Sequence, residues 1–125
     1  LVIVMMFLHT LRVFFTGSYK KPRELNWIVG VGIFGVMMGL GFTGYLLPWD
    51  MKALFATKVG IEIAASVPFI GEYIKILLAG DSTILGAQTL TRFFAIHVFF
   101  LPAALFALLA AHFIMIRRQG ISGPL

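Results

Sequence analysis

Residues 90–116 read LTRFFAIHVFFLPAALFALLAAHFIMI. The stretch holds one permanently charged side chain, Arg92, and is longer than the roughly 20 apolar residues an α-helix needs to cross a bilayer. Towards the N-terminus, residues 27–47 meet the same condition. Residues 1–15 are too short alone but strongly apolar, and they start at Leu1 with no basic leader. They read as a third span entered part way along rather than as a signal peptide. Composition agrees: of 125 residues, 60% are apolar and 12% charged, and mean hydropathy is +0.99. A soluble domain of this size needs far more polar surface. The expected fold class is therefore an all-α membrane protein in a lipid bilayer.

The connecting segment, residues 48–89, is different. Its apolar runs are broken by Asp50, Lys52, Lys58, Gly60, Glu62, Pro68, Gly71, Glu72 and Lys75. Two short amphipathic helices are expected there, over about 51–66 and 68–79, lying at the membrane interface rather than crossing it. With three spans, the turn at 16–26 and the tail after Ile116 share one side. That side carries Arg12, Lys20, Lys21, Arg23, Arg117 and Arg118 against Glu24 alone. On the other side Lys52, Lys58, Lys75 and Arg92 are balanced by Asp50, Glu62, Glu72 and Asp81. The positive-inside rule puts the first side in the cytoplasm, or the negative side of an energy-transducing membrane. The net charge of +5 is thus a topology signal, and no nucleic-acid partner is expected. With no Cys, thiolate metal sites and thioether-linked cofactors are excluded within these residues. The five scattered Asp and Glu argue against a carboxylate metal cage.

All three histidines fall inside the expected spans. An ionisable residue there is costly, which makes each a functional candidate, although a lone neutral His hydrogen-bonded to a neighbouring helix is the commoner outcome. Depth changes the balance. His9 stands six residues before Phe15 and His112 five before Arg117. Both are thus about 8–9 Å from the basic side at the α-helical rise. Two imidazoles at one level can serve as trans axial ligands of an iron porphyrin, and ligation with no open position favours electron transfer. His97 lies fifteen residues before His112, about 22 Å along an ideal helix and about 60° around it. It marks a second haem level nearer the neutral side, with Pro102 between them able to rewind the helix. Its partner is expected upstream of Leu1. Arg12, one turn beyond His9, is a candidate counter-charge to a haem propionate, or a snorkelling interfacial cation. Arg92, a cation in the first turn of its helix, opposes the macrodipole and suggests a buried anionic partner. Gly35-x-x-x-Gly39 fits a close-packing motif. Gly30 and Gly44, fourteen residues apart, share a helix face at the two haem depths.

Several stretches then resemble the cytochrome b6 and cytochrome b family of quinol:cytochrome c oxidoreductases. They are His9-Thr-Leu-Arg12, Gly17-Ser-Tyr-Lys-Lys-Pro-Arg-Glu-Leu-Asn-Trp27, Gly44-Tyr-Leu-Leu-Pro-Trp-Asp50, Leu90-Thr-Arg-Phe-Phe-Ala-Ile-His97 and the run from Ala111 to Leu125. The histidine spacing and the closing Arg-Gln-Gly-Ile-Ser-Gly-Pro-Leu look like the b6 branch. The Lys-Lys-Pro-Arg-Glu-Leu-Asn-Trp loop looks more like bacterial menaquinol:cytochrome c reductases than the chloroplast form. The resemblance implies a cytochrome b N-terminal-type domain over residues 1–125, part of a transmembrane four-helix haem-binding bundle with two interfacial helices. It implies two haem b groups, the high-potential one on His9 and His112 and the low-potential one on His97. By the same resemblance Arg12 contacts a propionate, and Gly30 and Gly44 pack on the haems. Phe42, Tyr45, Met51 and Phe55 help line a quinol-oxidation pocket, with Phe55 where the family usually has Trp. A covalent c-type haem, found in the b6 branch, depends on a Cys outside these residues.

The implied activity is bifurcated quinol oxidation. One electron passes to a Rieske-type iron–sulfur protein, and the other crosses the membrane by the b haems to quinone, supporting proton translocation. Implied partners are that protein, a c-type cytochrome subunit and a companion C-terminal cytochrome b (subunit IV) polypeptide, in a homodimeric complex of the bacterial cell membrane. Two other readings compete. A dihaem membrane anchor of a dehydrogenase lacks the Pro-Trp-Asp loop and the two interfacial helices. A haem-free transporter or scaffold would use the histidines as proton relays and show no b-type α-band.

Overall fold

A computed structural model describes residues 1–80 and 85–123. Asp81, counted in the charge balance above, and the closing Pro124-Leu125 lie outside the described residues. All regular structure among the described residues is helical: α1 (Val2–Phe15), α2 (Glu24–Leu46), α3 (Met51–Ala65), α4 (Gly71–Ala79), α5 (Ala87–Ala95), a π turn (Ile96–Phe100) and α6 (Leu101–Gln119). Both α2 and the unbroken Ala87–Gln119 helix are long and apolar enough to cross a membrane, and α1 is a shorter apolar helix. Many of their large apolar side chains, among them Phe7, Ile28, Phe106 and Phe113, are exposed. Helices with so little polar surface have no face suited to water.

Local chemistry explains the boundaries. Helix α2 begins at Glu24, three residues earlier than its apolar run, because an acid in the first turn suits the positive end of the helix dipole. It stops at Leu46, since the residue before Pro48 is pushed out of the helical region. Arg117 and Arg118 extend α6 past its apolar run by occupying the negative end. Helix α4 starts at Gly71 rather than near Pro68, because Phe69 takes φ 70° and breaks the helical path. The turn is tight enough that a Cβ on Gly71 would run into the Ala65 carbonyl.

Two compact units divide the chain. The first comprises residues 1–39 and the chain from Pro102 onward. Its α1–α2 loop is tied to the tail: Ser18 Oγ lies 2.6 Å from Ser122 Oγ, and Arg23 donates from Nε and Nη2 to the carbonyls of Gly120 (3.3 Å) and Ile121 (3.1 Å). Phe14 stacks on Tyr19, which tilts against Trp27. A Cβ on Gly32 would touch Leu108 of α6, whereas one on Gly35 would meet nothing within 4 Å. The close approach on this helix is thus at Gly32 rather than Gly35.

The second unit, residues 40–101, has a core of Leu46, Ala53, Ile61, Ala79 and Phe93, flanked by Phe42, Trp49, Leu54, Leu78 and Leu85. Asp50 caps α3, its Oδ1 accepting from the Ala53 N–H at 2.7 Å. The C-terminal carbonyls of α4 are bonded by side chains of α5. Thr89 Oγ1 donates to Ala79 at 2.9 Å, and Arg92 Nη1 donates to Ile76 and Leu77, each at 2.7 Å. Lys75 pairs with Glu62 across α3 and α4 at 3.2 Å.

Candidate functional site

A cavity of about 390 Å³ opens in the first unit, with His9 from α1, Gly30 and Asn26 from α2 and His112 from α6 among its walls. The rest of the lining is mostly apolar, including Met6, Ile33, Leu105 and Leu109. Each helix brings one face to it. Met6, His9, Thr10 and Val13 follow the i, i+3 and i+4 spacing, as do Leu105, Leu109, His112 and Phe113. His9 is exposed on α1 and His112 is half-buried. The His112 ring lies against Gly30, where an added Cβ would stand 3.4 Å from Cε1. The Nδ1 atom of His112 and Oδ1 of Asn26 are both buried without a hydrogen-bond partner. Leaving such atoms unpaired is costly.

His97 occupies a separate setting in the second unit. It sits on the π turn, where the Leu101 N–H bonds back to the Ile96 carbonyl. The freed ladder that Pro102 was expected to cause takes this form, a π turn being a frequent feature of functional helices. Nδ1 of His97 lies 3.1 Å from Oγ1 of Thr43, and the ring rests on Gly44. A Cβ at Gly44 would stand 2.7 Å from His97 Cε1. Gly30 and Gly44, expected to leave room for a macrocycle, each lie against one of the imidazoles.

These residues fit an iron porphyrin better than a bare ion. Among the described residues no group of three or more His, Cys, Asp or Glu is gathered to hold a metal. A porphyrin supplies four equatorial nitrogens itself and asks the protein only for axial imidazoles and an apolar slot. The cavity places two imidazoles within an apolar lining, and its size is in the range of small-molecule sites.

The remaining candidates are dispersed. Arg12 is exposed and outside the cavity lining, while Arg23, which sequence reasoning did not single out, is within it. Helix α5 begins at Ala87, so Arg92 lies past the first turn where it was expected, and it finds carbonyl oxygens at the negative end of α4 rather than an anionic group. Phe42 packs in the core against Phe93, and a Cβ on Gly60 would run into its ring. Tyr45, Met51 and Phe55 are exposed, and Phe55 borders a shallow depression with Lys58, Val59 and Glu62. Thr43 was also missed: a threonine in an apolar helix carries no signal of a partner 54 positions away.

The family model described as Cytochrome b(N-terminal)/b6/petB matches residues 1–125. The chain is 83% identical to the menaquinol:cytochrome c reductase cytochrome b subunit of Geobacillus thermodenitrificans and 82% identical to that of Bacillus subtilis (strain 168), over its full length and 56% of each relative. It is 48% identical to cytochrome b6 of Heliobacterium mobile, again over its full length and 58% of that relative. It therefore spans little more than half the length of these relatives. An apolar all-helical architecture and a family match across every residue lead to one conclusion: the chain belongs to the cytochrome b/b6 N-terminal family.

Proposed function

We propose that the chain is the haem-bearing part of a b-type cytochrome subunit in a bacterial quinol:cytochrome c reductase, through which electrons from quinol oxidation cross the membrane. One observation carries this reading: His9, His112 and the ring-admitting Gly30 meet around a single apolar cavity. Haem b, when bound, supplies a reversible one-electron carrier. The chain's own part is to hold it. His9 and His112 would together hold one haem near the basic side, and His97 would help hold a second.

The apolar walls exclude water from the first site, and Arg12 and Arg23 set positive charge on its basic side to neutralise propionates. In this reading α1, α2 and α6 belong to a four-helix haem-binding bundle. Helices α3 and α4 lie at the interface on the neutral side, where Phe42, Tyr45, Met51 and Phe55 contribute to a quinol pocket. The working assembly includes a Rieske-type iron–sulfur protein, a c-type cytochrome subunit and the companion C-terminal polypeptide, in a homodimer of the bacterial cell membrane. The relatives' names support menaquinol as the donor.

Substitution of His112 by Leu in the full-length protein tests this. The redox titration of the b-type α-band should lose one component and keep the other. Retention of both components would refute the ligand assignment, and absence of any b-type band in the unmutated protein would favour a haem-free scaffold.

A further inference from the structure

Thr43 is 3% exposed, in the last turns of α2, and the contacts of its hydroxyl include a backbone carbonyl and an imidazole. Oγ1 lies 3.4 Å from the Leu40 carbonyl and 3.1 Å from Nδ1 of His97. A hydroxyl has one hydrogen to give and lone pairs to accept with. With that hydrogen donated to the Leu40 carbonyl, Oγ1 accepts from the His97 Nδ1–H. The proton then sits on Nδ1, and Nε2 carries the lone pair that a metal requires. The reverse assignment puts the proton on Nε2 and removes the ligand. Gly44, the next residue, lies against the ring: a Cβ there would come within 2.7 Å of Cε1 and 3.2 Å of Nδ1. The π turn presents His97 to this seat. By contrast, Nδ1 of His112 is buried without a hydrogen-bond partner.

We propose that Thr43 is the positioning residue of His97. It locks the imidazole in its Nδ1–H tautomer and, through that bond, lowers the reduction potential of the haem b that His97 would ligate. The physical reason is donor strength. An imidazole whose N–H is bonded to an acceptor is a more basic ligand and stabilises ferric over ferrous iron. The inference rests on the haem-ligand reading above and adds an asymmetry to it: one histidine is anchored by a side-chain hydroxyl and its counterpart at the other site is not.

The test uses the full-length protein with its haems, in Thr43→Val and Thr43→Ser forms. Valine keeps the shape and loses the hydroxyl; serine keeps the hydroxyl. Thr43→Val should raise the midpoint of the b haem that His97→Leu abolishes, by about tenfold in the ferric-to-ferrous ratio, which is about 59 mV for one electron. The low-spin ferric electron paramagnetic resonance signal of that haem should shift as well. Thr43→Ser should restore both readouts, and the second haem should stay unmoved. Loss of the His97 haem in the valine form with retention in the serine form also supports the proposal. Unmoved midpoints, equal effects of valine and serine, or a shift shared by both haems would overturn it while leaving the dihaem reading intact. Absence of any b-type α-band from the unmutated protein would overturn both.

Discussion

Gly44 and His97 are so close that a methyl group on the glycine would stand 2.7 Å from Cε1 of the imidazole. Backbone and ring cannot both stay in place. Gly44→Ala should therefore displace His97 and deplete one of two b-type components in the full-length protein. Gly35→Ala is the matched control, because a Cβ there meets nothing within 4 Å. It should leave both components unchanged, and alanine's better helix propensity, worth up to about 1 kcal/mol, should if anything raise thermal stability. Pyridine haemochrome quantification of the two variants checks the contrast.

Gly30 gives a graded version of the same effect. Its added Cβ would lie 3.4 Å from His112 Cε1, which neighbours can absorb by a few tenths of an ångström. Gly30→Ala should keep haem with a small shift in midpoint, whereas Gly30→Leu should empty the site. If alanine proved as damaging as leucine in haem content, the ring would have to be held more rigidly than this geometry indicates.

His9 and His112 border one cavity, so His9→Leu and His112→Leu should remove the same spectral component. His97→Leu should remove the other. Redox titration of the three variants separates these outcomes, and different components lost from the first two would dissolve the pair.

The α4–α5 junction makes a prediction about stability rather than colour. Arg92 donates twice to backbone carbonyls of α4, and hydrogen bonds from charged groups are worth about 1.5–3 kcal/mol where shielded from water. The bonds here are solvent-exposed, so Arg92→Ala should cost towards the lower end, read as a lower midpoint of thermal unfolding in detergent. The exposed Glu62–Lys75 pair should contribute under about 1 kcal/mol in a double-mutant cycle. Asp50→Ala, which removes the α3 cap, should cost about 1 kcal/mol in the same assay.

Much of this was legible because the bilayer restricts what a sequence can mean. The apolar run before Leu46 and the one after Leu90 have few alternatives to helix, and His9, His97 and His112 stand out because hydrocarbon makes them expensive. Features set by contacts between distant segments were not legible. Nothing beside Arg92 announces the Ile76 and Leu77 carbonyls, and nothing beside His97 announces Thr43. Phe69 shows the other limit. Its φ of 70° delays α4 to Gly71, although Pro68 reads as an ordinary helix start. Pro102 lies between these cases: it signalled a departure from α geometry, while its form and place, a π turn over Ile96–Phe100, required the folded chain.

That π turn makes helix length adjustable. Leu101 already bonds back five residues to Ile96, so the turn holds one residue more than an α-helical turn would. Deleting a single residue such as Val98 should let the turn close as ordinary α-helix without breaking the span, at the cost of re-aiming His97. Circular dichroism of that deletion should show helix retained, while redox titration of the b-type α-band should lose the component assigned above to His97. Sequence comparison would then need to admit a one-residue gap inside a membrane helix, where gaps are usually refused.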